Sequence, residues 1–488
     1  MRYRSACTAL LVAFSLAGCK QPSLPTPPAP TATGYGSTPP PQTASAPMPG
    51  GNAQRFLTDL DVPGQWWALF HSTDLNALVD QALAANPDVS AAQAALTSAQ
   101  ESFFAQRASI YPNVVGSASI SRVQTPTFFA PPLTNPTPYI YYLSEIGLNV
   151  GYTPDVFGNL HYQTAAAKTV EEIARYQAEA TYLTLTSNVA GAFIQAANLN
   201  NQIATTKRII AVETELLRNM QNQRQYGQVS GLDVANQEAL LAQTEQTLPA
   251  LEQGLEQTRH LLARLTGTSP DQSPVVVSYD LNSLHLPEEL PLSLPSKLID
   301  QRPDIGAATA SLAQASAQVG VAYTNRLPNF SITADLATQA LQARDLFNVG
   351  SFFAQLVAQL TAPLYDQGAL KHRESAAIAD YNVAAAQYKG TVLTAFENVA
   401  DSVIALQSDA KTLAAAKRTA DATEHALNLV RAQQQNGQVA GAAVLQAEQT
   451  YEQSAIALTQ AQASRYADTV GLFEALGGGW WNRTDTHS

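Results

Sequence analysis

The chain has 488 residues, of which only 14% are charged, and a formal net charge of −12; ordinary soluble domains carry roughly 25% charged residues. That negative balance argues against nucleic acid as a partner, which would call for a basic face. Seven scattered histidines form no ligand-spaced pair, and there is no glycine-rich phosphate loop or nucleophile elbow, so no catalytic, cofactor-binding or metal residue can be named.

Residues 1–18 read as a lipoprotein signal peptide. Arg2 and Arg4 supply the positive start, and Ala9 to Leu16 an apolar core too short to span a bilayer. Leu16-Ala17-Gly18-Cys19 has the form of a lipoprotein box, which makes Cys19 the candidate lipidation site; an ordinary secretory signal with a chance cysteine is the alternative. Among lipoproteins, Lys20 in place of aspartate after the cysteine implies transit to the outer membrane. Acyl chains contribute about 0.8 kcal/mol per buried methylene, so several would anchor this terminus firmly. Cys7 leaves with the signal, and no disulfide is expected in the mature chain. No other apolar run reaches about 18 residues. A bilayer crossing, if there is one, must be made by strands.

Residues 19–60, dense in Pro, Thr, Ser and Ala, read as a tether. A first repeat, 61–268, opens on Trp66-Trp67-Ala68-Leu69-Phe70. Thr73-Asp74 then starts a helix, Pro87 interrupts it, and a second helix covers about Val89 to Ile110. Strands are expected at about 113–124 and 139–153, a long helix at 159–226 and a returning helix at 232–266. Residues 269–296, with a short Val275-Val276-Val277 run, form a connector. The second repeat, 297–479, carries strands at about 329–338 and 351–362, a long helix at 368–436 and a returning helix at 442–476. Residues 480–488 are a tail.

The duplication is explicit. Asn86-Pro87-Asp88 and Tyr111-Pro112-Asn113 recur 216 residues later as Arg302-Pro303-Asp304 and Leu327-Pro328-Asn329. Gly158 and the Gly227 turn recur after 210, as Gly368 and the Gly437 turn. The six-residue change falls between the two strands of each half, where a loop can absorb it.

The strands alternate. Val114, Ala118, Ile120, Ile146, Leu148, Leu336 and Leu356 take even numbers, while Ser117, Ser119, Glu145, Asn149, Thr333, Asp335, Gln355 and Gln359 take odd ones. Lengths near ten residues fit tilted membrane-spanning strands, with the polar set facing a barrel lumen. Tyr139, Tyr141, Tyr142, Tyr152 and Phe157 sit near the strand ends, as interfacial aromatics would. A half-buried soluble sheet has the same period. Four strands cannot close a barrel, and open edges in lipid cost several kcal/mol per unpaired group, so the barrel reading requires more than one copy.

Each long helix is free of proline and spans roughly 100 Å at about 1.5 Å per residue. Heptad ladders run through Ile203-Ile210-Leu217, Val234-Leu241-Leu248-Leu255-Leu262 and Val444-Tyr451-Leu458-Arg465-Leu472, the last broken by its arginine. Between helices lie the matched turns Gly227-Gln228-Val229-Ser230-Gly231 and Gly437-Gln438-Val439-Ala440-Gly441. These are either a docking tip or plain helical-hairpin turns. Asp233 is either a gate carboxylate or a helix-start residue; its neighbours in the second half, Ala443 and Gln446, are neutral.

Trp66-Trp67, Phe157-Gly158, Leu294-Pro295-Ser296-Lys297-Leu298 leading into Arg302-Pro303-Asp304-Ile305, Ala362-Pro363-Leu364 and Ala475-Leu476-Gly477-Gly478-Gly479-Trp480 together resemble an outer-membrane efflux lipoprotein of the TolC-like superfamily, in its NodT branch. That resemblance implies an α+β membrane protein in a Gram-negative outer membrane. It implies a homotrimer sharing a twelve-stranded β-barrel, continued by a long periplasmic α-helical barrel. The implied function is passive exit of drugs or small toxic compounds, with the two turns docking on a periplasmic adaptor (membrane fusion) protein that couples to an inner-membrane RND-type transporter. Nothing in the resemblance implies an enzyme or a cofactor. The same channel serving type I protein secretion or metal-ion efflux, or a lipid-anchored coiled-coil scaffold without a pore, are the alternatives.

Overall fold

The computed structural model describes residues 24, 28, 30, 34–35, 42–58, 60–124, 140–272, 279–439 and 441–483. The chain divides into two compact units. One contains Leu96–Ala174 and Ala308–Tyr388, the other Ala29–Ala95, Arg175–Ala307 and Lys389–Ser488.

The first unit holds a four-stranded antiparallel sheet in the order β2 (Asn113–Gln124), β3 (Ile140–Tyr152), β5 (Asn329–Ala340), β6 (Phe352–Thr361). The repeat is thus visible as two hairpins laid side by side. Gly147 sits where an added Cβ would come 2.8 Å from the Ala337 Cβ, so glycine permits the β3–β5 approach at this point. After each hairpin a glycine in the left-handed region, Gly158 (φ 80°) or Gly368 (φ 85°), turns the chain into a long helix. An aspartate caps both starts: Asp155 accepts from the backbone N–H of Leu160 and His161, and Asp366 from those of Gly368 and Leu370.

Most of the length of four antiparallel helices lies in the second unit, two of them beginning in the first. Helix α3 (Asn159–Gln225) and α4 (Gly231–Leu265) form one hairpin; α7 (Ala369–Gln435) and α8 (Gly441–Ala475) form the other, and the lengths match at 67 and 35 residues. Shorter helices α1 (Thr73–Ala85), α2 (Pro87–Ala108), α5 (Pro295–Gln301) and α6 (Pro303–Thr324) precede the sheet strands of each half. Both α2 and α6 open on proline, which suits a first helical position. The cap of α1 is Ser72, whose hydroxyl accepts from the Leu75 N–H, one residue earlier than Thr73-Asp74 suggested. None of the helices among the described residues is long and apolar enough to cross a membrane.

Two differences from expectation concern the segment read as tether and the heptad ladder of the second repeat. Within 19–60, Arg55–Leu57 form strand β1, paired in parallel with β4 (Glu289–Pro291). Arg465, which breaks the ladder, explains why the chain before β1 is also held. It is fully buried, donating to the Thr43 hydroxyl at 3.0 Å, the Asn52 carbonyl at 2.6 Å and the Gln54 side chain at 3.5 Å. Gln54 in turn donates to the Pro287 carbonyl and the Thr469 hydroxyl. A composition rich in Pro and Ala gave no hint of this docking, because the arginine that supplies it lies more than 400 residues away.

The aromatic core of the second unit lies where the quoted sequence motifs meet. Trp66 is buried and stacks on Phe473 with ring centroids 5.4 Å apart. Gly478 and Gly479, both in the left-handed region, lie where a Cβ would meet Leu183 and the Pro63 carbonyl. The C-terminal glycine run is therefore there for close approach as well as for turning.

Candidate functional site: a two-faced sheet and two matched turns

Because directly opposed residues share a face, the strand register sorts the sheet by parity. One odd rung joins Val115, Asn149, Asp335 and Gln355; the Asn149 amide donates to Asp335 at 2.5 Å. Ser119, Glu145 and Gln339 form another, with Gln339 donating to Glu145 at 3.3 Å. Ser117 lies opposite Gly147, which lies opposite Ala337; Thr333 lies between Gly151 and Val357, and Gln359 opposes Ser331. Even rungs are apolar: Val114, Val150, Ala334 and Leu356 in one, and Gly116, Leu148, Leu336 and Ala354 in the next. Ile120, Ile146, Leu148, Phe352 and Leu356 on that face are all exposed in the single chain. The odd face is mixed: Val115, Phe353 and Val357 share it with the polar set. The edge strands, β2 and β6, have no strand on their outer sides among the described residues.

The two turns of the second unit are built alike. Gly227 (φ 71°) and Gly437 (φ 70°) each end a long helix. Gly227 N–H bonds to the Arg224 carbonyl and Gln228 N–H to that of Gln223; Gly437 and Gln438 repeat this with Gln434 and Gln433. This is the Schellman closure, in which glycine takes the left-handed position. Gln228 and Gln438 are exposed, while Val229 and Val439 are half-buried. Tyr226 and Leu232 are exposed beside the first turn. A Cβ on Gly441 would lie 3.5 Å from the buried Met220 side chain of α3, so the second turn packs beside the end of the first hairpin.

Asp233 closes a capping box with Ser230: its backbone N–H donates to the serine hydroxyl at 3.2 Å, and its carboxylate accepts from the Ser230 N–H at 3.3 Å and hydroxyl at 2.7 Å. Cys19 and Ala440 lie outside the described residues, as do Tyr139 and the Val275-Val276-Val277 run.

One role of the repeated Asn-Pro-Asp and Arg-Pro-Asp motifs emerges only in three dimensions. The Asn86 amide donates to the carbonyl of Leu265, the last residue of α4, at 2.9 Å. Arg302 donates to the carbonyl of Ala475, the last residue of α8, at 2.8 Å, while its fork holds Asp304 at 2.8 and 3.0 Å. Each motif satisfies an orphan carbonyl at the end of its own half's returning helix.

The profile of the family described as outer membrane efflux protein matches residues 78–268 and 294–478. This chain belongs to that family. It is 28% identical over 452 residues to the pyoverdine export outer membrane protein OpmQ of Pseudomonas aeruginosa, covering 91% of this chain and 94% of that one. It is 27% identical over 478 residues to the outer membrane protein OprJ of the same organism, covering 97% and 95%. The crystal structure of the Campylobacter jejuni CmeC outer membrane channel superposes with a TM-score of 0.83 at 23% identity, covering 96% of each chain. The fold is that of TolC-like outer-membrane channels, and the protein is an outer-membrane efflux channel.

Proposed function

We propose that three copies of this chain close one twelve-stranded barrel in the outer membrane of a Gram-negative bacterium, with twelve helices forming a periplasmic tunnel. The observation that carries this is the sheet itself. It has an exposed apolar face, a largely polar opposite face and two unpaired edges, a combination that lipid tolerates only when edges are closed by neighbours. The barrel is anchored further through acylated Cys19. Ser117, Ser119, Glu145, Asn149, Thr333, Asp335, Gln355 and Gln359 face the lumen and keep it wet without strong selection.

The channel conducts passively, taking drugs or small toxic compounds from an RND-type transporter through an adaptor that docks on the Gly227–Gly231 and Gly437–Gly441 turns. The capping box supports a helix-start role for Asp233 over a gate role, because the carboxylate is already engaged by Ser230. The closed-state conductance of Asp233→Ala in planar bilayers should equal that of wild type; a leakier closed state would restore the gate.

The decisive experiment is deletion of the gene followed by a panel of toxic-compound susceptibilities, paired with the mass of the purified mature protein in detergent. Hypersensitivity restored by the wild-type gene, together with a trimer mass, is expected. A monomer that stays soluble without detergent once its anchor is removed would overturn the reading.

A further inference from the structure

Above the turns, the second unit contains a cavity of about 220 Å³ whose lining includes Glu213 of α3, Arg431 of α7, and Glu448, Tyr451 and Glu452 of α8. Glu213 is 1% exposed and Glu448 3% exposed. One oxygen of each is spoken for: Thr244 of α4 donates to Glu213 Oε1 at 3.2 Å, and Arg431 donates to Glu448 Oε1 at 2.8 Å. The second oxygen of each, Oε2, is buried without a donor.

Glu213 and Glu452 line this cavity together, and the buried Oε2 of Glu213 has no donor. Two ionised carboxylates are both acceptors only, so a hydrogen bond between them requires one of them to carry a proton. The neighbours offer no substitute for that proton. Arg431 is committed to Glu448, and the Arg208 guanidinium, also at the cavity, donates to Thr205 and relieves neither carboxyl. Glu245 of α4 and Glu424 of α7 add only further negative charge.

We propose that the Glu213–Glu452 pair is a proton-held clasp joining the first helical hairpin to the returning helix of the second. Burial and the neighbouring glutamates push Glu452 up to about 8 and raise Glu213 as well. A carboxyl raised on folding contributes stability that is fully present below its unfolded value and lost as pH rises through the folded one. The two hairpins are therefore held together in acid and near neutrality, and pushed apart in base. That this alters the width of a conducting tunnel rests on the channel reading; the clasp does not.

The test is infrared spectroscopy of the full mature protein in detergent, titrated from mildly acidic to basic pH. A protonated-carboxyl C=O band should disappear with a midpoint near 8, and Glu452→Gln should lack it. Asp409, raised to about 7 beside Asp468, supplies a second band at lower pH that the substitution leaves in place. Thermal unfolding supplies the second readout. Wild type should lose stability as pH rises from the ordinary glutamate range up to about 8, whereas Glu452→Gln, which keeps an amide donor for Glu213, should be flatter across that window. A band near 8 that survives in Glu452→Gln, or a wild-type slope in that variant, overturns the clasp. So does loss of the band in wild type on adding calcium or magnesium at neutral pH, which would make this a metal-cation site. Absence of current from wild type in planar bilayers would count against the pore alone and leave the clasp standing.

Discussion

Arg465 shows how a single side chain can organise a segment that composition would leave loose. It occupies the position where the first half has the buried Leu255, 210 residues earlier, and exchanges an apolar contact for three hydrogen bonds to the 43–54 stretch. Burial lowers its guanidinium to about 10, still charged at neutral pH. Arg465→Ala would remove three hydrogen bonds, one of them to the buried Thr43 hydroxyl, at a cost on the order of 3 kcal/mol. The expected readout is a lowered unfolding midpoint together with new cleavage within 43–54 under limited proteolysis; an uncleaved variant would show that β1 alone holds the segment. Spacing alone marks position 465 as a flaw in a heptad. What spacing cannot express is a buried cation whose acceptors arrive from the far end of the chain.

For the elements, legibility followed the simplicity of the environment. The strands were readable because each separates two different surroundings, so Ile146 and Glu145 differ for the same reason that Leu336 and Asp335 do. The helical seams were readable in period but not in phase: Leu240 is buried and Leu241 only partly so, since a straight helix drifts against a strict seven-residue repeat. The clasp was invisible, because nothing local links Glu213 to a residue on the last helix. Two tests belong at this scale. Nothing lies within 4 Å of a Cβ built on Gly227 or Gly437, so alanine at either should cost only the backbone term of about 1–2 kcal/mol, seen as a modest fall in the unfolding midpoint; a larger loss would reveal a hidden packing role. On the proposed docking and trimer reading, Val229→Asp with Val439→Asp should abolish efflux while leaving assembled trimers on native gels, and unchanged drug export would remove the turns as the docking surface.

In the whole molecule, charge is sparse and its buried part is placed on the last two helices and their neighbours. Asp409 of α7, raised to about 7 by burial and by Asp468 of α8, makes stability fall as pH climbs from the ordinary aspartate range up to neutrality, by the same sign as the clasp. Asp409→Asn should flatten that part of the pH profile and raise the unfolding midpoint above pH 7; a steeper profile would mean that the aspartate is stabilising as an anion. The closures made by Asn86 and Arg302 carry a different consequence. Each ties the end of a returning helix to the start of its own half, so neither half borrows from its sibling to complete that loop. One brace is a neutral amide and the other a guanidinium, so only the second also brings a positive charge to the end of its helix, where the exposed carbonyls favour one.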